Sequence, residues 1–192
     1  MERMTDQRLA VIVLAAGAGT RMKSRTPKVL HPIAGVPLIG HVLATAQALE
    51  PAHIVAVVRH ERERVAAAIT ELAPEAHIVD QDEIPGTGRA AEVALDALPD
   101  GFDGDVLIVS GDVPLLDADT LAELVAAHRE AAAAATVLSA HLDDATGYGR
   151  VIRASDGALD RIVENKDASD DERAVTEINS GTYVVNADAL RR

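Results

Sequence analysis

Short apolar runs alternate with helical patterns over the first 135 residues, and this alternation constrains the fold more than any other feature. The runs are rich in β-branched residues, and they lie at residues 9–14, 53–58, 76–79 and 105–110. Helical spacing is found between them, at about residues 38–49, 61–72, 88–98 and 119–134. Repeated strand–helix units require right-handed crossovers and give a parallel sheet that is covered on both faces. The sequence therefore predicts an α/β fold with a Rossmann-like, mostly parallel sheet flanked by helices.

The pattern changes after residue 135, where strands follow one another without long helices. These strands are predicted at Thr136–Leu142, Gly149–Arg153, Leu159–Glu164 and Ile178–Asn186. Glycine-containing turns at residues 146–147 and 156–157 favour hairpin connections. We expect one domain with two parts, a parallel-sheet half at about residues 9–135 and a mixed-sheet lobe at about residues 136–192.

Two segments of the second part are predicted separately. Residues 167–177 are acidic and polar, and we expect a solvated loop there. Residues 188–192 have the pattern of the first turn of a helix that does not continue. We therefore expect the domain to be incomplete at its C-terminus.

Composition excludes several classes of function. The 192 residues can bury a sizeable core, and the absence of cysteine rules out disulfides, cysteine–zinc sites and thiol catalysis. Two tyrosines and one phenylalanine are too few aromatics for base stacking along a nucleic acid. No apolar run could cross a membrane, and residues 1–8 are too polar for a signal peptide. We expect a cytoplasmic protein that binds neither nucleic acid nor membrane.

A glycine-containing, cationic loop follows the first predicted strand. Residues 14–28 contain Gly17 and Gly19, and their cations are Arg21, Lys23, Arg25 and Lys28. Six cations and two acids give residues 1–30 a net charge of +4, whereas 12 cations and 29 acids give the other 162 residues −17. A positive island on an acidic chain favours a small anion bound locally. The loop therefore predicts a phosphate site.

Three phosphate-binding schemes use loops of this kind. A dinucleotide fingerprint, G-x-G-x-x-G, fits Gly17 and Gly19 but would need a third glycine where Met22 stands. The P-loop string, G-x-x-x-x-G-K-[S/T], does not occur in the sequence. A nucleotidyltransferase loop, Gly-x-Gly-Thr-Arg followed by Pro-Lys, matches residues 17–21 and 27–28 in order and spacing. We favour the third scheme.

The motifs beyond this loop resemble a known enzyme family. Leu14–Met22 with Pro27–Leu30 is similar to the signature of sugar-nucleotide pyrophosphorylases. Further matching blocks are Pro85–Gly88, Gly111–Leu115, Thr146–Arg150, Ile162–Asp167 and Glu177–Gly181. Together they resemble the N-terminal uridylyltransferase domain of bifunctional UDP-N-acetylglucosamine pyrophosphorylase/glucosamine-1-phosphate N-acetyltransferases. The resemblance runs from about residue 9 to the end of the chain.

The resemblance implies an activity, a cofactor and an assembly. The reaction transfers UMP from UTP to N-acetylglucosamine 1-phosphate with Mg²⁺, releases pyrophosphate and feeds cell wall synthesis. In the family, a second metal ligand lies beyond residue 192, and full-length proteins form homotrimers through a C-terminal domain that this sequence does not contain. Two alternatives remain open, a related hexose 1-phosphate nucleotidyltransferase and a catalytically silent nucleotide-binding fragment.

The implied phosphate site has three charged members. The forked donors of Arg21 suit the β,γ-phosphates, and the compact charge of Lys28 suits the α-phosphate. Asp112 follows an apolar strand and is the predicted Mg²⁺ ligand. The backbone of Leu14, Ala15, Ala16 and Gly17 is expected to lie along the nucleotide.

The remaining predicted contacts divide between base and sugar. Gln81 can donate to and accept from an edge of uracil. Gly86 and Thr87 match the family's base and sugar contacts, and Ser110 and Gly111 are expected beside the nucleotide. Ile84 and Arg89 depart from the residues that close relatives often carry. The sugar-binding positions in the second lobe are predicted to be Gly149, Glu164 and Asn179.

Overall fold

The computed structural model describes residues 6–19 and 22–191, which divide into two compact units. The first unit extends to Thr136 and resumes at Tyr183, and the second is Val137–Thr182. Arg21 lies outside the described residues, so its predicted role stays a prediction.

Strands and helices alternate along most of the first unit, whereas strands predominate in the second. The chain order begins with β1 (Asp6–Leu14), a 3-10 turn (Lys28–Leu30), β2 (Pro32–Ile33), β3 (Val36–Pro37), α1 (Leu38–Ala48), β4 (Pro51–Val58), α2 (Arg62–Leu72), β5 (His77–Asp80) and α3 (Thr87–Asp96). It continues with β6 (Asp105–Ser110), α4 (Ala118–Glu130), β7 (Ala135–His141), β8 (Arg150–Arg153), β9 (Leu159–Val163), α5 (Asp170–Arg173), β10 (Glu177–Asn186) and α6 (Ala187–Leu190).

A mostly parallel sheet organises the first unit. Its strand order is β5-β4-β1-β6, and all of these neighbours pair in parallel. The last residues of β10, Tyr183–Asn186, add an antiparallel strand beside β6. The predicted α/β fold class with a mostly parallel sheet is confirmed.

The core forms on both faces of β1, the central strand. Leu9 through Val13 are at most 2% exposed. Because side chains alternate along a strand, Ala10 and Ile12 share one face, where they pack with Ala94 and Leu95 of α3. The opposite face is covered by α1 and α2, whose Leu43 and Ile69 are fully buried. Burial on both faces explains why these strands are apolar at nearly every position.

Helix boundaries follow local chemistry. Asp117 caps α4 by accepting a hydrogen bond from the backbone amide of Thr120. Pro37 ends β3 and immediately precedes the first residue of α1, where the lack of a backbone N–H costs the helix no hydrogen bond. Within residues 6–19 and 22–191, no helix has the length and apolar character to cross a membrane.

The parallel strands all end at one edge of the sheet, and this edge positions the site. Leu14 ends β1, Asp80 ends β5 and Ser110 ends β6. Ligands of open α/β sheets bind outside the carboxyl ends of the strands. The loops that follow these residues carry the predicted phosphate and base contacts.

The second unit is built from antiparallel strands. Arg150 on β8 pairs with Val163 on β9 and with Ile178 on β10, and β7 also pairs with β10. The expected loop at residues 167–177 differs, since it contains the short helix α5. Ser169 and Glu172 form a capping box at its start, which holds one helical turn without apolar residues.

An ion pair between the buried Glu177 and the half-exposed Arg153 predicts a pH-dependent stability. Glu177 is 6% exposed, and Arg153 donates to its carboxylate at 2.6 and 2.8 Å. Hydrogen bonding from Arg153, helped by Ser139 and opposed by burial, lowers the pKa of Glu177 from 4.5 to about 2. A carboxyl with a lowered folded-state pKa stabilises the fold above its unfolded pKa, and this stabilisation is lost as pH falls from about 4.5 towards 2.

Glu177→Gln should therefore lower the free energy of unfolding by about 1–2 kcal/mol at pH 7. The loss is smaller than for a fully buried pair, because solvent screens the half-exposed Arg153. Urea unfolding of wild type and variant at pH 7 and pH 3 measures it. The difference in the free energy of unfolding between wild type and Glu177→Gln should be roughly half as large at pH 3 as at pH 7. Parallel pH profiles for the two proteins would show that the pair does not stabilise the fold.

Candidate functional site

Backbone hydrogen bonds hold the start of the glycine loop, where it leaves the sheet. The Ala15 amide donates to the Val57 carbonyl and the Gly111 amide donates to the Leu14 carbonyl, each at 2.8 Å. These bonds tie the end of β1 to β4 and to the loop after β6. Ala15 and Ala16 are buried, whereas Gly17 is exposed. The backbone therefore reaches solvent at Gly17, at the sheet edge where a ligand could approach.

Gly19 packs against Lys28 and must remain a glycine. Its φ is +59°, and a Cβ there would lie 2.7 Å from Cβ of Lys28. Both the left-handed backbone and the missing side chain allow the loop to lie against the lysine stem. Lys28 begins the 3-10 turn, and its side chain is 38% exposed. The loop thus presents this cation beside its own backbone.

Lys28 and Asp112 form an ion pair, although 84 positions separate them in the chain. Asp112 lies two residues beyond β6, with its side chain 20% exposed. Burial raises the pKa of Asp112, but hydrogen bonds from Lys28 and Ser110 outweigh it, so the pKa is lowered. A Cβ on Gly111 would lie 3.1 Å from the Leu14 carbonyl oxygen, so a small residue is needed at this turn. The structure therefore brings together a cation and an ionised carboxylate at the sheet edge.

Two further cations of the loop, Lys23 and Arg25, are exposed to solvent. The carbonyl of Arg25 accepts a hydrogen bond from Arg64 at 3.0 Å. Their charges can raise the local positive potential.

The residues around Asp112 provide one carboxylate ligand for a magnesium ion. Among the residues that the structure describes, no group of three or more His, Asp or Glu side chains could hold a metal ion. Magnesium in phosphate-transferring sites is bound by one or two carboxylates together with substrate phosphates and water. An ionised carboxylate next to a phosphate loop meets that requirement, provided that Lys28 shares or releases it.

Gln81 organises the loop that follows β5. Its backbone amide donates to the Val58 carbonyl at 2.9 Å. Its side-chain Nε2 donates to the carbonyls of Ile84 at 2.9 Å and Gly86 at 3.1 Å. Both amide hydrogens are engaged, so the side chain can offer a ligand its amide oxygen, an acceptor. Gly86, with φ +119°, and Thr87 are exposed at the start of α3.

Three predicted residues of the second unit come together. Each of them is next in the chain to a residue of one pairing set, in which Arg150 pairs with both Val163 and Ile178; the three are Gly149, Glu164 and Asn179. The Asn179 amide donates to the Gly149 carbonyl at 2.9 Å. A Cβ on Gly149 would lie 3.4 Å from Oε1 of Glu164 and 3.7 Å from Cβ of Asn179. Gly149 immediately precedes β8, Glu164 immediately follows β9 and Asn179 lies in β10, so the three residues form one row beside these strand ends with the glycine at its centre.

Two features of the site were missed by sequence reasoning. Gly19 was predicted only as part of the glycine-containing phosphate loop, and its close contact with the stem of Lys28 was not predicted. Arg89 was read only as a departure from the family pattern, yet it forms an ion pair with Asp82 at 2.6 Å. The sequence contains the glycine and the arginine, but it does not predict that Gly19 packs against Lys28 or that Arg89 pairs with Asp82.

A cavity of about 220 Å³ lies elsewhere, at the amino ends of β4 and β5. Glu50, His53, His77 and Leu98 are among its lining residues. None of the predicted site residues lines it, so it is separate from the chemistry described above.

The fold and these contacts define a class of protein. A mostly parallel sheet whose carboxyl edge carries a glycine loop, a lysine and a carboxylate is a nucleotide-phosphate-binding α/β domain. Within that class, the chain belongs to the MobA-like NTP transferase domain family, whose sequence model matches residues 11–178. The prediction of a nucleotidyltransferase domain is confirmed.

Curated relatives agree with the resemblance drawn from the motifs. Bifunctional protein GlmU of Leifsonia xyli subsp. xyli (strain CTCB07) is 66% identical over 188 residues, covering 98% of this chain and 39% of that protein. Bifunctional protein GlmU of Clavibacter sepedonicus is 61% identical over 184 residues, covering 96% of this chain and 37% of that protein. The predicted relationship is confirmed, and the chain spans well under half of these relatives.

Solved structures share the fold at low identity. A putative glucose-1-phosphate thymidylyltransferase from Bacillus anthracis has a TM-score of 0.78 and 19% identity, covering 95% of this chain and 73% of that one. A UDP-glucose pyrophosphorylase complexed with UDP-glucose has a TM-score of 0.71 and 16% identity, covering 95% and 77%. These similarities support the fold class.

Proposed function

We propose that this chain transfers UMP from UTP to N-acetylglucosamine 1-phosphate, giving UDP-N-acetylglucosamine and pyrophosphate. The observation that carries the proposal is the contact between Lys28 and Asp112 beside the Gly17–Gly19 loop. The choice of UTP and of this sugar rests on the similarity to proteins named GlmU together with the resemblance of the motifs.

The chemistry requires positioning and neutralisation of charge more than a protein nucleophile. An oxygen of the sugar phosphate forms a bond to the α-phosphorus of UTP, and the bond from that phosphorus to the bridging β-oxygen breaks. Pyrophosphate leaves with the bond electrons. Lys28 neutralises charge on the α-phosphate, and Arg21 is proposed to do so on the departing phosphates. The backbone of Leu14, Ala15, Ala16 and Gly17 is proposed to lie along the nucleotide.

Asp112 is the residue proposed to hold Mg²⁺. When bound, the ion would supply charge neutralisation to the phosphates. Ser110 and Gly111 hold the carboxylate at the end of β6 through a hydrogen bond and a tight turn. Lys28 then exchanges its contact with the carboxylate for one with phosphate oxygens.

Uracil recognition is assigned to Gln81, Gly86 and Thr87. With both N–H donors of Gln81 engaged in its own loop, the amide oxygen accepts from N3–H of uracil. Cytosine lacks a hydrogen at N3, so the same acceptor would face another acceptor. This arrangement favours UTP over CTP.

Sugar recognition is assigned to the row of Gly149, Glu164 and Asn179. Glu164 is exposed and can accept from sugar hydroxyls. The side-chain oxygen of Asn179 accepts from the Gly181 backbone amide at 2.9 Å, and its side-chain nitrogen can donate to hydroxyl or phosphate oxygens. The central glycine leaves room for a ring to approach the backbone.

Replacing Gly149 by alanine should raise the KM for N-acetylglucosamine 1-phosphate about tenfold. The added methyl would lie 3.2 Å from Cγ2 of Ile162 and would crowd Glu164, so it occupies space that the sugar needs. Steady-state kinetics with each substrate varied in turn measures the effect. The KM for UTP is the internal control, and a rise in that constant alone would remove Gly149 from the sugar site.

Pyrophosphate release tests the whole proposal. The purified chain is incubated with UTP and N-acetylglucosamine 1-phosphate, with and without Mg²⁺, and then with dTTP, GTP or CTP in place of UTP. We expect turnover with UTP that depends on Mg²⁺. Preference for another nucleotide would favour a hexose 1-phosphate nucleotidyltransferase, and UTP binding without turnover would favour a silent nucleotide-binding module. The cytoplasmic location and the trimer of the longer protein stay predictions.

A further inference from the structure

The loop between β5 and α3 is exposed and is held by few contacts. Asp82 through Gly86 are all exposed, and Ile84 is 57% exposed. Gln81 holds the carbonyls of Ile84 and Gly86, and Arg59 donates to the carbonyl of Glu83 at 3.2 Å. An exposed loop with little apolar burial depends on such polar contacts for its order.

Arg89 supplies the charged contact to this loop. Its Nε and Nη2 donate to one oxygen of Asp82, Oδ2, at 2.8 and 2.6 Å. The other oxygen of Asp82, Oδ1, accepts from the backbone amide of Ile84 at 3.0 Å. A single carboxylate therefore connects Arg89 to the loop backbone. The hydrogen bond from Arg89 lowers the pKa of Asp82, so the pair is ionised at neutral pH.

Arg89 is itself well anchored. It lies in the first turn of α3, whose next residues Ala90 and Ala91 are 3% and 2% exposed. Its Nη1, which does not contact Asp82, pairs with Glu92 of the same helix at 2.7 Å, so this ion pair is separate from the contact with the loop. Charge-assisted hydrogen bonds are among the stronger polar contacts, and two from one planar group fix direction as well as distance.

We propose that Asp82 and Arg89 act as a positioning pair that orders the Asp82–Gly86 loop and so sets the affinity for the nucleotide base. The proposal rests on the proposed function, because Gln81, Gly86 and Thr87 are assigned there to uracil. Without the pair, the Ile84 carbonyl would be held by Gln81 and the Gly86 carbonyl by Gln81 and the Ala90 amide, and nucleotide binding would include the cost of ordering the residues between them. The pair acts on UTP affinity and leaves the phosphate chemistry at Lys28 unchanged.

The experiment uses Arg89→Gln, Asp82→Asn and the double variant, with Glu92→Gln as the matched control. Glu92→Gln removes the other ion pair of Arg89 but leaves the loop contact intact. UTP binding is measured by calorimetry, and amide hydrogen exchange across residues 82–88 is measured on the ligand-free chain. We expect each single variant to bind UTP about three- to tenfold more weakly and the double variant to lose no more than either. Amide hydrogen exchange at residues 82–88 should become severalfold faster in these variants, whereas kcat should not change. UTP affinity and amide exchange of the control Glu92→Gln should stay near those of wild type.

Each other outcome has a distinct meaning. Weaker binding in Arg89→Gln but not in Asp82→Asn would overturn the pair, because Arg89 would then contact the nucleotide directly. Additive losses in the double variant would overturn it as well. Unchanged loop exchange in both single variants would show that the pair does not order the loop. If the wild-type chain fails to bind UTP, the proposed function and the effect on affinity are wrong, whereas the exchange data still decide the ordering role.

Discussion

Replacing Lys28 by alanine should lower the kcat for UTP at least about a hundredfold. The ammonium group lies at the edge of the glycine loop, where the α-phosphate is proposed to bind, and removal of one such preorganised charge typically costs 10²–10³ in rate. The fold should lose less than about 1 kcal/mol, since the side chain is 38% exposed and its ion pair is close to the surface. Pyrophosphate release and thermal unfolding measure the two effects.

Two further variants make this test specific. Lys166→Ala removes a lysine that is 82% exposed, and it should change neither kcat nor stability. Lys28→Arg keeps a cation at the same place and should retain more turnover than Lys28→Ala, because the phosphates still face a positive charge. Equal losses of kcat in Lys28→Arg and Lys28→Ala would show that the charge at this position does not explain the effect.

The strands of the first unit could be predicted because they are buried on both faces. Residues 9–14 and 105–110 were predicted as strands and lie within β1 and β6. A continuous apolar run leaves few alternatives once its length is too short for a helix. The β2–β3 hairpin was missed because its strands have only two residues each, and so few residues show no periodicity.

The site was predicted as a set of residue types, without their distances. Strand order decides that Asp112 meets Lys28, and pattern alone does not give strand order. Gly149, Glu164 and Asn179 were named through the family resemblance, since a strand-end carboxylate and a turn asparagine carry no signal of their own. Their common row depends on the register of β8 with β9 and β10. Register is a long-range property that is fixed by packing.

The pair of Asp82 and Arg89 illustrates the same limit. The seven-residue separation crosses a loop and a helix start, so neither strand nor helix periodicity relates the two residues. Surface charges of either sign are common in this chain, which has 18 Lys and Arg against 31 Asp and Glu. The folded structure decides which of these charges lie within contact distance of each other.

Gly104→Ala should destabilise the fold by about 3 kcal/mol or more, the largest loss of stability that we expect from a single methyl group. A Cβ at this position would lie 2.2 Å from the carbonyl oxygen of Arg8 and 2.7 Å from Cζ of Phe102. The nearest atom is backbone of β1, so relief requires the central strand to move away from β6, where Leu9 pairs with Asp105. The Gly104 carbonyl also accepts from the Ala187 amide at 2.9 Å, which restricts movement on the other side.

Urea unfolding measures the loss, with Gly88→Ala as the matched control for Gly104→Ala. Gly88 lies in the first turn of α3, and a Cβ there would meet no atom within 4 Å. The same substitution should therefore stabilise the chain by about 0.5–1 kcal/mol through helix propensity. Opposite signs for the two variants would show that the clash at Gly104 causes the loss. No side-chain movement can relieve a contact with backbone. A free energy of unfolding for Gly104→Ala within about 1 kcal/mol of the wild-type value would therefore contradict the close approach of β1 and β6 at this glycine.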